Sequence, residues 1–311
     1  MSSIAAVRRP RSRFFKFSKV EPYFFIAPFL ILLLLFNFYT IYVGIKMGFT
    51  DAQGINFGEW IGVENYRHLL SGENPDFWPA IGRSFLFMFG GLVTQMPIAF
   101  ILACILNSTV FGKIRGILRA AFYVPVLINT VVASLVFRML FNKDTGLINW
   151  VLGNFGMAKI DWLFTPQLCI PLMILVSFWQ WTGFHMVYLL ASIQAIDPTI
   201  YEVAKLDGAS PLRTMFQITL PLIRPALMFV LITSAIGGMR QFEYSFMLFP
   251  NAGYGPGMKA LTAVPFIYFY GFSNNFELGL ATAAGWILFL IILIFVLIQI
   301  FTIGLGQSEE Y

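Results

Sequence analysis

The sequence predicts an all-α membrane protein with six transmembrane helices, on three observations. Of the 311 residues, 58% are hydrophobic and 11% charged, where soluble domains carry about a quarter charged. The apolar residues gather into six runs, each near the roughly 20 residues that cross a bilayer as a helix. Basic residues concentrate in alternate links between those runs, which is how a multi-span chain fixes its orientation.

The elements follow in order. Residues 1–22 form a basic tail carrying Arg8, Arg9, Arg11, Arg13, Lys16 and Lys19. The run Tyr23 to Ile45 that follows is too long for a signal-peptide core and has no small-residue cleavage site, so it reads as a retained first span. That span and an extracytoplasmic loop make up residues 23–78, the loop holding Glu59, Glu64, Glu73 and Asp76. A permeation core, 79–306, holds the other five runs: Ser84 to Leu106, Leu118 to Leu140, Leu168 to Ile193, Leu222 to Phe249 and Leu278 to Ile303. A short tail, 307–311, ends the chain. The second link adds Lys113, Arg115 and Arg119, and the fourth adds Lys205, Arg213 and Arg224. The odd-numbered links are longer, acidic and rich in Trp. Both termini and the fourth link are therefore expected in the cytoplasm. Two outer segments, Ile55 to Leu70 and Gly146 to Leu163, read either as interfacial segments anchored by Trp60, Trp150 and Trp162 or as a landing surface for an extracytoplasmic partner.

The fourth link, 197–221, is polar and punctuated in a chain that is otherwise apolar. Asp197 with Pro198 starts one short helix and Gly208 ends it in a left-handed turn. Ser210 with Pro211 starts a second, and Pro221 closes the unit. Such an insert is expected to carry a docking partner. Leu206, Met215 and Phe216 offer apolar area to a partner groove, and Glu202 and Asp207 offer charge.

Within this insert Glu202, Ala204, Asp207 and Gly208 are followed at fixed spacing by Ile218, Leu220 and Pro221. The pattern resembles the EAA loop of permease subunits of ATP-binding-cassette (ABC) importers, with Val203 in place of an alanine. The likeness continues through Arg119 to Asn149, Trp181 to Ile196 and Phe276 to Leu290, which resemble carbohydrate-uptake permeases of the first-permease type (maltose, multiple-sugar or glycerol-phosphate importers). It departs at Phe242, Glu243 and the following 251–257 segment, NAGYGPG. The resemblance implies a type I importer permease fold in a bacterial or archaeal cytoplasmic membrane, with the EAA loop as the coupling element. It also implies four other parties: a second permease, two ATPase subunits that use ATP and Mg, an extracytoplasmic solute-binding protein, and a carbohydrate or related polar solute. This chain is expected to bind no cofactor and no nucleic acid.

The residues agree with that division of labour. No phosphate-binding loop of the G-x-x-x-x-G-K-[ST] type occurs, nor H-E-x-x-H or G-x-S-x-G. With only His68 and His185, a His-based triad is nearly excluded. Cys104 and Cys169 fall in apolar runs without metal spacing. An ion-coupled secondary transporter is the competing reading, but it calls for deep carboxylates and inverted repeats, and neither is evident. A scaffold without transport is a third. Candidate pathway residues are Gln180, Trp181, His185 and Tyr188 in the fourth span and Gln241, Glu243 and Tyr244 in the fifth. Sugar C–H faces stack on aromatic rings while their hydroxyls need placed polar groups; ordinary packing is the alternative, for lone His185 above all. Arg240 and Glu243, three apart, are spaced to pair on one helix face, either snorkelling to the interface or lining the mouth of a pathway. Ala281, Ala283, Ala284 and Gly285 read as close helix packing.

Overall fold

A computed structural model describes residues 21–108, 112–249, 253–273 and 276–303. Nearly all of the basic tail, the 307–311 tail and the Asn251–Ala252 part of the outer-loop departure lie outside the described residues. The chain divides into two compact units, Met1–Lys46 and Met47–Tyr311.

The first unit holds helix α1, Tyr23–Met47, bar its last residue. One π-helical turn, Leu33–Phe38, interrupts its α-helical pairing. Its apolar side chains, among them Phe24, Phe29, Leu35 and Phe38, stay exposed all round, as suits a span whose neighbours are lipid or another chain.

The second unit opens with a short helix α2, Glu64–Leu70, and a long one, α3, Phe77–Asn107. Buried Asn74 starts α3, its side-chain oxygen accepting from the N–H groups of Asp76 and Phe77 (3.1 and 3.2 Å). At about 46 Å, α3 begins two turns before the expected Ser84 and projects beyond the hydrocarbon layer. Then come α4, Arg115–Tyr123, α5, Thr130–Leu140, α6, Leu147–Asn154, and α7, Cys169–Gln194. The insert supplies α8, Pro198–Leu206, and α9, Pro211–Leu222. The chain finishes with α10, Arg224–Met239, α11, Glu243–Leu248, α12, Ala263–Ser273, and α13, Leu278–Ile303.

Four of the six expected spans are single helices without a sharp bend, and two are broken. The third was expected to run straight from Leu118 to Leu140. Instead the segments on either side of Ile128–Asn129 meet at 95°. Pro125 cannot donate to an α-helical ladder. Asn129 takes an extended conformation and caps α5, accepting from Val131 N at 2.9 Å. The fifth expected span, Leu222 to Phe249, breaks twice. The α9–α10 junction bends by 73° at Ile223, so the insert runs through Pro221 and ends two residues later than expected. A second break at Arg240–Phe242 separates α10 from α11. Arg240 therefore lies in the break and Glu243 on α11, and no ion pair joins them among the described residues. Helix α12, apolar but too short to span, has no counterpart in the expected set.

Helices α3 and α7 form the spine. Ala99 and Ala103 of α3 meet Met186, Leu189 and Leu190 of α7, all buried, and Met215 and Leu220 of the insert pack against the same cluster. A second cluster joins Phe87 to Met173 and Val176 of α7 and to Tyr244 and Leu248 of α11. A third gathers α3, α10, α12 and α13 around Phe266, with Ala283 and Ala284 as the close-packing residues. Ser84 and Arg83 of α3 tie down the start of α12, Ser84 Oγ accepting from Ala263 N (2.9 Å) and Arg83 donating to the carbonyl of Leu261 (3.0 Å).

Candidate functional site

The breaks at Ile128–Asn129 and Arg240–Phe242 and the spine border a half-open cavity of about 360 Å³, within the size range of small-molecule sites. Phe87, Met88, Gly91, Leu92 and Gln95 of α3 form one wall. Ser177, Trp181, Phe184 and His185 of α7 form a second, one helix face by their spacing. Thr233, Ser234, Gly237 and Gly238 of α10 and the break residues Arg240, Gln241, Glu243 and Tyr244 complete it, with Thr130 at the start of α5. Gly238 lets α10 lie against α3, since a Cβ there would stand 3.0 Å from Met88 Cα.

The polar lining groups are ordered by hydrogen bonds across helices. Gln95 donates to Ser177 Oγ (3.0 Å), and His185 Nε2 pairs with Ser234 Oγ (3.0 Å). Among the described residues the buried His185 Nδ1 has no hydrogen-bond partner. Trp181 Nε1 donates to Tyr244 Oη (2.9 Å), which donates in turn to Gln180 Oε1 (2.8 Å). With its amide oriented to satisfy both ends, Gln241 accepts from the N–H groups of Tyr244 and Ser245 (2.8 Å each) and donates to Thr262 Oγ1 (3.2 Å). It thereby caps α11 and ties the break to the chain before α12. The charged lining residues, Arg240 and Glu243, are opposite in sign.

The seven expected pathway residues separate into three groups. Trp181, His185, Gln241, Glu243 and Tyr244 converge on the cavity. Gln180 is buried behind it. Tyr188 lies off it, its ring stacked between Phe184 and Phe229 (6.4 and 5.2 Å). Sequence reasoning missed Gln95, Ser177, Ser234 and Thr130. Gln95 carried a signal, since a lone amide inside an apolar span is a functional candidate by default.

The insert shows the local chemistry its sequence demands. Asp197 accepts from Thr199 N (2.9 Å), and this bond holds its carboxyl below the usual range. Gly208 takes φ +71°. Around it Ala209 N donates to the carbonyl of Ala204 (2.9 Å) and Gly208 N to that of Lys205 (3.2 Å), the paired bonds of a Schellman turn. Ser210 Oγ accepts from Arg213 N (3.3 Å), and Tyr201 and Thr219 join the two helices through their hydroxyls (3.3 Å). Leu206 is 87% exposed and Phe216 52% exposed, whereas Met215 is half-buried against the spine and Ala204 is buried. Glu202, Asp207, Gly208 and Pro221 are exposed. Leu212, 68% exposed, joins the outward apolar set and was not foreseen.

Residues 2–303 match the family model described as binding-protein-dependent transport system inner membrane component. The chain belongs to this family. It is the multi-pass inner-membrane permease component of a binding-protein-dependent ABC importer, and not itself an enzyme. Its relatives include the arabinooligosaccharides transport system permease protein AraP of Bacillus subtilis (strain 168), 35% identical over 294 residues that cover 94% of this chain and 91% of that one. The trehalose/maltose transport system permease protein MalF of Thermococcus litoralis is 32% identical over 252 residues, 80% of this chain and 82% of that one. Among solved structures, a chain of a bacterial ABC transporter involved in import of the acidic polysaccharide alginate superposes with a TM-score of 0.81 at 26% identity, covering 92% of this chain and 96% of that one. The family implies an ATPase partner for such a permease.

Proposed function

We propose that this permease forms the translocation pathway for a carbohydrate, an oligosaccharide or a related polar solute, delivered by an extracytoplasmic binding protein. The cavity carries the reading: aromatic rings of Trp181, Phe184 and Tyr244 share its lining with Gln95, Ser177, Ser234 and His185, and carbohydrate recognition calls for that mixture of apolar faces and placed polar groups. The sugar permeases among the relatives support it. In this reading Trp181, His185, Gln241, Glu243 and Tyr244 border the pathway.

The insert at 197–221 is the docking element for one of two ATPase subunits, which use ATP and Mg. A second permease with its own insert completes the importer. Leu206 and Phe216, joined by Leu212, fill the ATPase groove, and Glu202 and Asp207 face its basic groups. Ala204, Gly208, Met215 and Pro221 hold the insert's shape. Both chain termini and the insert lie in the cytoplasm, and the domain plan is a basic tail at 1–22, a first span with its outer loop at 23–78, a permeation core at 79–306 and a tail at 307–311.

The test is uptake of labelled oligosaccharides by the assembled importer in proteoliposomes, with ATP inside and binding protein outside. Uptake should need both. Uptake that ignores ATP and follows an imposed proton or sodium gradient would favour the ion-coupled reading and overturn this one.

A further inference from the structure

Gln180 does not border the cavity, yet its side chain decides how two cavity residues present themselves. It is 1% exposed. Its Nε2 donates to the carbonyl of Ile128 (2.8 Å) and to Thr130 Oγ1 (3.3 Å), both at the break before α5. A backbone carbonyl only accepts, so the amide has one orientation, with Oε1 turned toward Tyr244. The Tyr244 hydroxyl must then give its proton to Gln180 (2.8 Å). An indole N–H only donates, so Trp181 gives its proton to the same hydroxyl (2.9 Å). Every proton in the chain Trp181–Tyr244–Gln180–Ile128 is placed by these two end groups.

We infer that Gln180 is a positioning residue for solute recognition: by taking the Tyr244 hydroxyl proton it leaves that oxygen to accept from Trp181 Nε1, so that these two residues offer the solute ring faces and no free proton, leaving hydroxyl recognition to the other polar groups of the lining. The inference rests on the reading of the cavity as a sugar pathway. It also joins the two broken spans, because the groups Gln180 holds sit at the break before α5 and on the first turn after the break before α11. The orientation of the rings is thus set by the same amide that pins one break to the other.

Gln180→Glu preserves the shape of the side chain but sets a carboxylate against the Ile128 carbonyl. Gln180→Leu removes all three of its bonds, and Tyr244→Phe breaks the link to Gln180 from its other end. In the assembled importer, with arabinotriose and maltotriose as probes, each variant should raise KM for uptake about tenfold. Maximal rate and recovery of the complex should stay near wild type. The double variant Gln180→Leu/Tyr244→Phe should be no worse than either single change. A purely structural role would lower recovery or maximal rate and leave KM alone, and that result would overturn the inference. Trp181→Ala separates the two levels. If it raises KM while the Gln180 variants do not, the positioning role fails and the pathway stands; if it too leaves KM unchanged, the pathway reading fails. A measurement that needs no solute accompanies these: the rate at which a water-soluble thiol reagent modifies Thr233→Cys, on the cavity wall. It should change at least threefold when Gln180→Leu frees the rings, and an unchanged rate counts against the inference even where neither sugar is carried.

Discussion

A single backbone angle holds the insert in shape. Gly208 stands at φ +71°, and a Cβ built there meets no atom within 4 Å. The obstacle to substitution is therefore conformational rather than steric. Gly208→Ala should cost the turn about 1 kcal/mol and a β-branched residue more, while Gly208→Asn, at home in left-handed turns, should cost less. Co-purification of ATPase with the membrane subunits should fall in the order Gly, Asn, Ala, Val; equal recovery from all four would show that the turn does not matter for docking. The cavity has its own single-residue contrast. Trp181→Ala removes a lining ring and should raise KM for uptake. Tyr188→Phe keeps the stack on Phe184 and Phe229, off the cavity, and should leave KM within a factor of two. A larger effect at Tyr188 than at Trp181 would mean that the solute path runs along a different face of α7.

The elements are held apart or together by a few close approaches. At Gly183 a built Cβ would overlap the backbone carbonyl of Phe122. Backbone cannot swing aside as a side-chain tip does, so Gly183→Ala must push α7 off α4. Forced overpacking of this kind costs about 1–3 kcal/mol, and it should appear as a lower inactivation temperature and less protein in the membrane. Gly82→Ala, where nothing lies within 4 Å, is the control and should be neutral or slightly stabilising. These contacts also explain what could and could not be read from the sequence. The six apolar runs were legible because the bilayer demands their length, and the caps at Asp197, Gly208 and Ser210 because they depend on neighbours one to four residues away. The 95° and 73° bends were not legible: Pro125 sat inside a run expected to be one straight span and Pro221 was read as the end of the insert, yet the chain breaks after the first and runs through the second. What decides is whether tertiary partners satisfy the freed backbone groups, as Gln180 does for the Ile128 carbonyl. The cavity was half legible. Aromatic and polar residues on α7 announced themselves, whereas Ser177 and Ser234 looked like ordinary small residues until helix crossing brought them beside Gln95 and His185.

At the scale of the whole molecule, orientation comes first. A cysteine at exposed Ser210 should react with a membrane-impermeant reagent only from the cytoplasmic side. For the outer face exposed Ser71 is the better position, because nearby Asn74 is 4% exposed and caps α3. Ser71→Cys should react only from outside, and the reverse pattern would overturn the orientation and the ATPase reading with it. The energy source then follows from what the chain lacks and what it exposes. Its sequence contains no phosphate-binding loop, and the carboxylate bordering the cavity, Glu243, sits with Arg240 at the α10–α11 break. The insert exposes Ile200, Val203, Leu206, Leu212 and Phe216, and the proposed docking set is Leu206, Leu212 and Phe216. Burying three such side chains is worth roughly 5 kcal/mol gross, and association consumes a large part of that in lost translational and rotational freedom. One insert is too small to hold an ATPase by itself. In the proposed importer two inserts, one from each permease, would act on a joined pair of ATPase subunits, where the second contact forms at high effective concentration. The expected outcome is an obligate assembly. Reconstituted alone, this chain should move neither arabinotriose nor maltotriose under ATP, a proton gradient or a sodium gradient, and removing Leu206, Leu212 and Phe216 together should release the ATPase subunits from the full complex. Gradient-driven uptake by the isolated chain would sink this account, and so would a full complement of ATPase on the triple variant.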